Sequence, residues 1–156
     1  MVSLGSLRGA IELIGKAMNE NVKKEIEVMC TPFVMEYFVE MHRLFVDTAL
    51  AFINVLSYKD KRVSGVKRAD LEKEEEKFLV NLAEILARAL ELPSIVAVYS
   101  CGVAGSRLRG IASSISEVFC DVARQAGDRR DKLLALTAYN VVAYLASWPL
   151  PPRACK

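Results

Sequence analysis

Apolar residues recur at steps of three and four through most of this chain, which is the spacing of one face of an α-helix. Residues 3–29 carry one such stripe, and the segment "NEN" at 19–21 marks a bend or a split in it. A second helix is predicted from Thr31 and Pro32, a capping hydroxyl followed by a first-turn proline, to about Tyr58. Its polar residues form one narrow stripe, which predicts a helix that is buried around most of its circumference.

The second half of the chain continues the helical pattern. Helices are predicted over residues 70–92, before Pro93, and over 111–126 and 129–148, which Gly127 and Asp128 separate. The stretch "SIVAVYSCGVAGSRLRG" (94–110) has residues that suit a strand but no partner strand, so it is interpreted as a short helix broken near Gly102 to Gly105.

The predicted fold class is therefore all-α, a single-domain helical bundle of five or six helices with a long N-terminal helical segment. The predicted organisation is one domain over 1–156, with a leading helical segment (3–29), a helical bundle (32–148) and a Pro-rich tail (149–156).

Composition adds an expectation about partners. Apolar residues make up 53% of the 156 residues, with 26% charged, which is rich in apolar surface for a small helical protein. Some of that surface is expected to face a second copy or a related helical subunit. The N-terminus lacks the pattern of a signal peptide, and the charge-free apolar stretch at 48–58 is too short to span a bilayer. We therefore expect no membrane span, and a protein that is intracellular or part of an intracellularly assembled particle.

Charge is spread unevenly, although the net charge is only +2. The decapeptide "KDKRVSGVKR" (59–68) contains five basic residues and one acidic residue, and "RLR" (107–109) and "GDRRDK" (127–132) are further basic clusters at predicted helix junctions. Such loops either bind phosphates through charge or are simply solvated hinges. No base-reading helix stands out, so any binding is expected to involve the nucleic-acid backbone. The candidate residues are Lys59, Lys61, Arg62, Lys67, Arg68, Arg107, Arg109, Arg129 and Arg130.

The glycines of "GVAGSRLRG" (102–110) have two interpretations. They allow backbone N–H groups to approach a phosphate, with two nearby arginines adding charge. Alternatively, small residues here allow two helices or two subunits to cross closely. The stretch matches neither of the standard nucleotide-binding glycine patterns.

Catalytic and metal-binding signatures are lacking. His42 is the only histidine, no serine lies in a G-x-S-x-G turn, and the carboxylates at 72–77 lie on an open helix start. The four cysteines, Cys30, Cys101, Cys120 and Cys155, have no CxxC spacing. We therefore predict a non-enzymatic protein with no metal and no cofactor. The cysteines are expected to be structural, as thiols or as disulfides whose pairing stays open, including one that anchors the tail.

Size, the all-α pattern, the long leading helix and a composition poor in amide side chains together resemble the helical-bundle major capsid (nucleocapsid) proteins of filamentous viruses of hyperthermophilic archaea. Coat subunits of that family wrap double-stranded DNA with long N-terminal helices and basic surfaces. The resemblance implies a DNA-coating, self-assembling subunit located in a virion or in the cytoplasm of the host cell. It also implies that the basic residues of the first helical segment face DNA. These residues are Arg8, Lys16, Lys23 and Lys24.

In size and helicity the chain is also similar to the small subunits of archaeal CRISPR effector complexes, which present basic faces to nucleic acid. This second resemblance implies a discrete intracellular nucleoprotein complex instead of a polymer. DNA and RNA, and self-association and a different partner subunit, all stay open at this point.

Overall fold

The computed structural model describes residues 3–60 and 68–156, apart from the side chain of Asp60, and all regular structure in these ranges is α-helical. In chain order the helices are α1 (Leu4–Lys16), α2 (Glu20–Met29), α3 (Pro32–Asp60), α4 (Arg68–Ala89), α5 (Leu92–Ser100), α6 (Gly102–Gln125) and α7 (Arg129–Ser147). The all-α prediction is confirmed for the described ranges, which contain seven helices where five or six were predicted.

The additional helices come from two breaks. The leading segment splits between α1 and α2, where Asn19 caps α2 by accepting a hydrogen bond from the Val22 N–H at 2.9 Å. The second break lies at Cys101, just before the break that was predicted near Gly102 to Gly105. Both glycines therefore belong to α6. Pro93 does not end α4, which stops at Ala89, but lies in the first turn of α5, where a missing N–H costs nothing.

Helix α3 is the centre of the molecule, as its narrow polar stripe predicted. It packs against α1, α2, α4, α5 and α6. Phe52 of α3, Phe78 of α4 and Phe119 of α6 form an aromatic cluster with ring centroids 4.5 to 6.5 Å apart. Residues from all seven helices join one hydrophobic core.

Two disulfides settle the question left open by the cysteine spacing. Cys30, which follows α2, pairs with Cys101 between α5 and α6. Cys120 of α6 pairs with Cys155, so a disulfide does anchor the tail. The Tyr139 hydroxyl also donates a hydrogen bond to the Arg153 carbonyl at 2.6 Å. The tail is therefore held against α6 and α7 by covalent and polar contacts.

Candidate nucleic-acid interface

Lys59, in the last turn of α3, lies among carboxylates of its own chain. Its Nζ donates to Asp131 Oδ1 at 3.0 Å and Oδ2 at 3.2 Å, and lies 3.8 Å from Glu75 and 3.9 Å from Asp128. The Asp131 side chain is only 5% exposed. Because a buried carboxylate needs a partner, Lys59 ties the end of α3 to the start of α7 and to α4.

Three further basic candidates lie close to this end of the bundle. Arg129 and Arg130 open α7, and Arg68 opens α4 about two turns before Glu75. Arg130 is 59% exposed with Glu75 at 3.7 Å, and Arg68 is 90% exposed with Glu72 at 3.1 Å. Lys59 and Arg68, the two basic residues of the 59–68 cluster that the structure describes, therefore lie at the same bundle end as the 127–132 cluster. Lys61, Arg62 and Lys67, also candidates, lie outside the described residues.

The third basic cluster lies elsewhere. Arg109 donates to the Ala146 carbonyl at 3.3 Å, near the C-terminal end of α7. Asp131, the partner of Lys59, lies 15 residues earlier in the same helix, so about 22 Å separates the two clusters at 1.5 Å per residue. Arg107 lies 3.7 Å from Glu25 of α2. The structure thus does not bring the three basic clusters together.

Arg109 is engaged in the packing of three helices. Its guanidinium stacks 3.9 Å from the centre of the Tyr99 ring, which in turn packs on Trp148 at 5.8 Å. The Tyr99 hydroxyl donates to the Leu145 carbonyl. Burial raises the pKa of Tyr99 to about 12, so the hydroxyl remains a donor at neutral pH. This arrangement joins α5, α6 and α7. It also engages the Arg109 guanidinium, which stacks on Tyr99 and donates to the Ala146 carbonyl.

Gly105 supports the close-crossing interpretation of the glycine-rich stretch. A Cβ at this position would lie 2.8 Å from Tyr99 Cα and 2.9 Å from the Tyr99 carbonyl oxygen. Because those atoms belong to the backbone, a side chain could be accommodated only by moving α5 away from α6. At Gly110, in contrast, a Cβ would meet nothing within 4 Å.

We expect Gly105→Ala to lower the free energy of unfolding by about 2 kcal/mol, because overpacking exceeds the gain in helix propensity. Gly110→Ala is the matched control and should raise stability by about 0.5 to 1 kcal/mol. Chemical unfolding of both variants measures this difference. Equal stabilisation by both substitutions would show that α5 and α6 do not cross closely at Gly105.

The basic residues of the leading segment lie on three different surfaces. Arg8 of α1 donates to Asn54 of α3, and Asn54 donates to Glu74 of α4 at 3.3 Å. Lys16 is exposed at the end of α1. Lys23, half-buried, borders a shallow depression with Arg43 and Asp47, whereas Lys24 is exposed on α2.

One charged cluster was missed by sequence reasoning. Glu84 and Arg88 have the i,i+4 spacing of an ion pair on a helix, but the Arg88 guanidinium pairs with Glu40 of α3 and with Glu91 at 3.5 Å. The Tyr37 hydroxyl also donates to the Arg88 carbonyl at 3.3 Å. Glu40 could have indicated this cluster from the sequence, because a carboxylate on the narrow polar stripe of a largely buried helix needs a cationic partner. The cluster joins α3 to the end of α4.

His42 is buried, with 5% exposure, and its Nε2 donates to the Ile14 carbonyl at 3.0 Å. Burial lowers the pKa of His42 below 6.5, against an opposing effect of the Ile14 hydrogen bond. The imidazole is therefore neutral at pH 7 and links α3 to α1. It has the character of a core histidine, consistent with the absence of a catalytic pattern around it in the sequence.

This lowered pKa has a measurable consequence for stability. The unfolded chain binds a proton on His42 below about pH 6.5, whereas the folded chain resists it, so stability is lost as the pH falls from 6.5 through the folded pKa. We expect urea unfolding at pH 7.5 and 5.5 to show this loss in the native protein. The loss should disappear in His42→Gln, whatever the absolute stability of that variant. An unchanged pH dependence in the variant would assign the effect to carboxylates.

The chain matches no protein-family model, no curated protein and no solved structure. Among the helices of residues 3–60 and 68–156, none has the length and apolar character that crossing a membrane requires. Those residues also contain no group of three or more His, Cys, Asp or Glu side chains placed to hold a metal ion.

Proposed function

We propose that this protein is a non-enzymatic structural subunit that assembles with copies of itself and binds the nucleic-acid backbone through the bundle end formed by the starts of α4 and α7. The observation that carries the proposal is that Lys59 and Arg68 lie at the same bundle end as the 127–132 cluster. Arg68, Arg129 and Arg130 are exposed there. Phosphate binding through charge needs no further geometry.

Other basic candidates contribute less to this proposal. The charge of Lys59 is balanced by three carboxylates, and Arg109 is stacked on Tyr99, so both act in folding. Arg107 lies away from the bundle end. Lys16, Lys23 and Lys24 belong to the leading segment, which the capsid resemblance would place against DNA.

Self-assembly is supported by exposed apolar side chains of α4 and α5. Leu79 and Leu86 of α4 are exposed and lie seven residues apart, which places them on one helix face. Leu90, just after α4, and Leu92 and Val96 of α5 are exposed as well. Exposed apolar side chains on two helices that contact each other are available for subunit contacts. Two disulfides also suit a particle outside a reducing cytosol, or an intracellular protein of a hyperthermophile. The specific form proposed is a DNA-coating subunit of an archaeal filamentous virus.

Electron microscopy with and without duplex DNA tests assembly. Regular filaments that contain DNA support a coat subunit, whereas discrete small particles in both samples would favour a subunit of an archaeal nucleoprotein complex.

Duplex binding measured over a range of salt concentrations tests the interface. We expect the triple variant Arg68→Gln, Arg129→Gln, Arg130→Gln to reduce the slope of log K against log salt by about 2 to 3.

The matched comparison is the triple variant Lys16→Gln, Lys23→Gln, Lys24→Gln, which removes the same charge from the leading segment. If this second variant reduces the salt slope more than the first, the interface lies on α1 and α2, as the capsid resemblance implies. An unchanged salt slope in both variants would exclude both surfaces.

A further inference from the structure

A cavity of about 470 Å³ lies between the α1–α2 junction, α3 and α6, away from the proposed nucleic-acid interface. Its size falls in the range of small-molecule sites, about 300 to 1,000 Å³. Arg107 borders it, 18 residues before Gln125 at the far end of α6, or about 27 Å along the helix. The cavity is therefore a separate feature that the proposed function does not use.

The cavity has an apolar wall and a polar edge. Ile14, Met18, Phe38 and Ile111 supply the wall, from α1, the α1–α2 junction, α3 and α6. The polar edge lies on α6, where Ser106, Arg107 and Ser114 border the opening. Sites that bind small molecules share this composition, a largely apolar lining with few convergent polar groups.

Among the described residues that line the cavity, Arg107 is the only charged one, and its own ion pair is weak. The guanidinium is 52% exposed and lies 3.7 Å from Glu25, a separation too long for a good hydrogen bond. Exposed pairs of this kind contribute little to stability. Arg107 can therefore exchange Glu25 for the carboxylate of a ligand, which its planar fork matches with two parallel hydrogen bonds.

His42 is a further polar side chain of the lining. It is more than nine-tenths buried, and its Nε2 donates a hydrogen bond to the Ile14 carbonyl. Because burial lowers the pKa of His42, the ring is neutral and adds no charge to the cavity. Since no charge other than that of Arg107 borders the cavity, an aliphatic chain can enter without desolvating a second ion.

We propose that this cavity binds a free aliphatic carboxylate of medium chain length, with its carboxylate on Arg107 and its chain between Met18, Phe38 and Ile111. Binding is non-covalent and leaves the disulfides and the core intact. The α1–α2 segment, which borders the cavity through Met18 and Val22, closes one side of the site.

Decanoate, below its micelle concentration, is the probe. Calorimetric titration of the full chain should show saturable binding of one decanoate per chain. The resonance of the single histidine in the NMR spectrum should shift with the same saturation curve, because His42 lines the cavity. Octanoate, which is two methylenes shorter, should bind about fifteenfold more weakly, since each buried methylene changes affinity by about fourfold. Decanol should also bind at least tenfold more weakly, because it cannot pair with Arg107.

Two variants decide the location. Arg107→Gln should weaken decanoate binding about tenfold, and Gly110→Leu, which adds a side chain where the cavity is open, should abolish it while the helix is retained. Arg129→Gln is the matched control and should bind decanoate normally. Saturable binding that ignores both cavity variants, or that leaves the His42 resonance unmoved, would place decanoate elsewhere and overturn the proposal. Undetectable binding, or equal affinity for decanol, would also overturn it.

Discussion

Replacing Cys30 and Cys101 together by alanine is expected to lower the free energy of unfolding by about 4 kcal/mol. The disulfide closes a loop with a sequence separation of 71 residues, and loop-closure entropy of the unfolded chain scales with the logarithm of that length. Equilibrium unfolding in guanidinium measures the loss. The Cys120–Cys155 bond spans 35 residues, so its removal should cost slightly less.

The two double variants should also differ in where the structure loosens. Helix α2 has only Ile26 fully buried, so the loss of Cys30–Cys101 should raise hydrogen exchange in α2. Loss of Cys120–Cys155 should instead release residues 149–156. Peptide mapping without reduction checks the pairing directly. Four free thiols in the native protein, or any other pairing, would contradict this account.

Lys59→Met is the second large effect that we expect, a loss of about 3 kcal/mol in the free energy of unfolding. The substitution leaves the buried Asp131 carboxylate without the cation that donates to both of its oxygens. Urea unfolding measures the loss. Arg130→Gln is the control at the same bundle end, and it should change stability by less than about 0.5 kcal/mol because its contact with Glu75 is exposed.

A second substitution tests whether the loss of stability comes from the unpaired Asp131 carboxylate or from the missing packing of the lysine stem. Replacing Asp131 by leucine in the Lys59→Met background removes the unpaired carboxylate, so most of the lost stability should return. If the double variant is as unstable as Lys59→Met, the packing of the lysine stem and not its charge explains the loss. If Lys59→Met is neutral, the lysine is free to bind phosphate after all.

Local periodicity explains how much of the fold could be predicted. Helix α3 and the buried positions Phe78, Leu82, Ile85 and Ala89 of α4 follow from spacing alone, because core burial repeats with the helix turn. Leu92 continues the same spacing but is exposed, because α4 has already ended at Ala89. Spacing cannot show that α4 stops at Ala89, because the end of a helix depends on the chain around it.

The candidate site was harder to predict because its contacts are distant in sequence. Lys59 and Asp131 are 72 residues apart, and Arg109 and Ala146 are 37 apart. A basic residue in a sequence looks available to a phosphate until the carboxylates and rings that face it are known. The need for glycine at position 105 likewise depends on the crossing of α5 and α6, which no local pattern encodes.

The Cys30–Cys101 bond changes how the chain is connected. Everything from α3 to α5 lies inside the covalent ring that this bond closes, including the α3–α4 connection. A peptide bond broken between Asp60 and Arg68 would therefore produce two polypeptides that stay joined through sulfur. Such a nicked molecule would migrate as one species on a gel without reductant and as two with it.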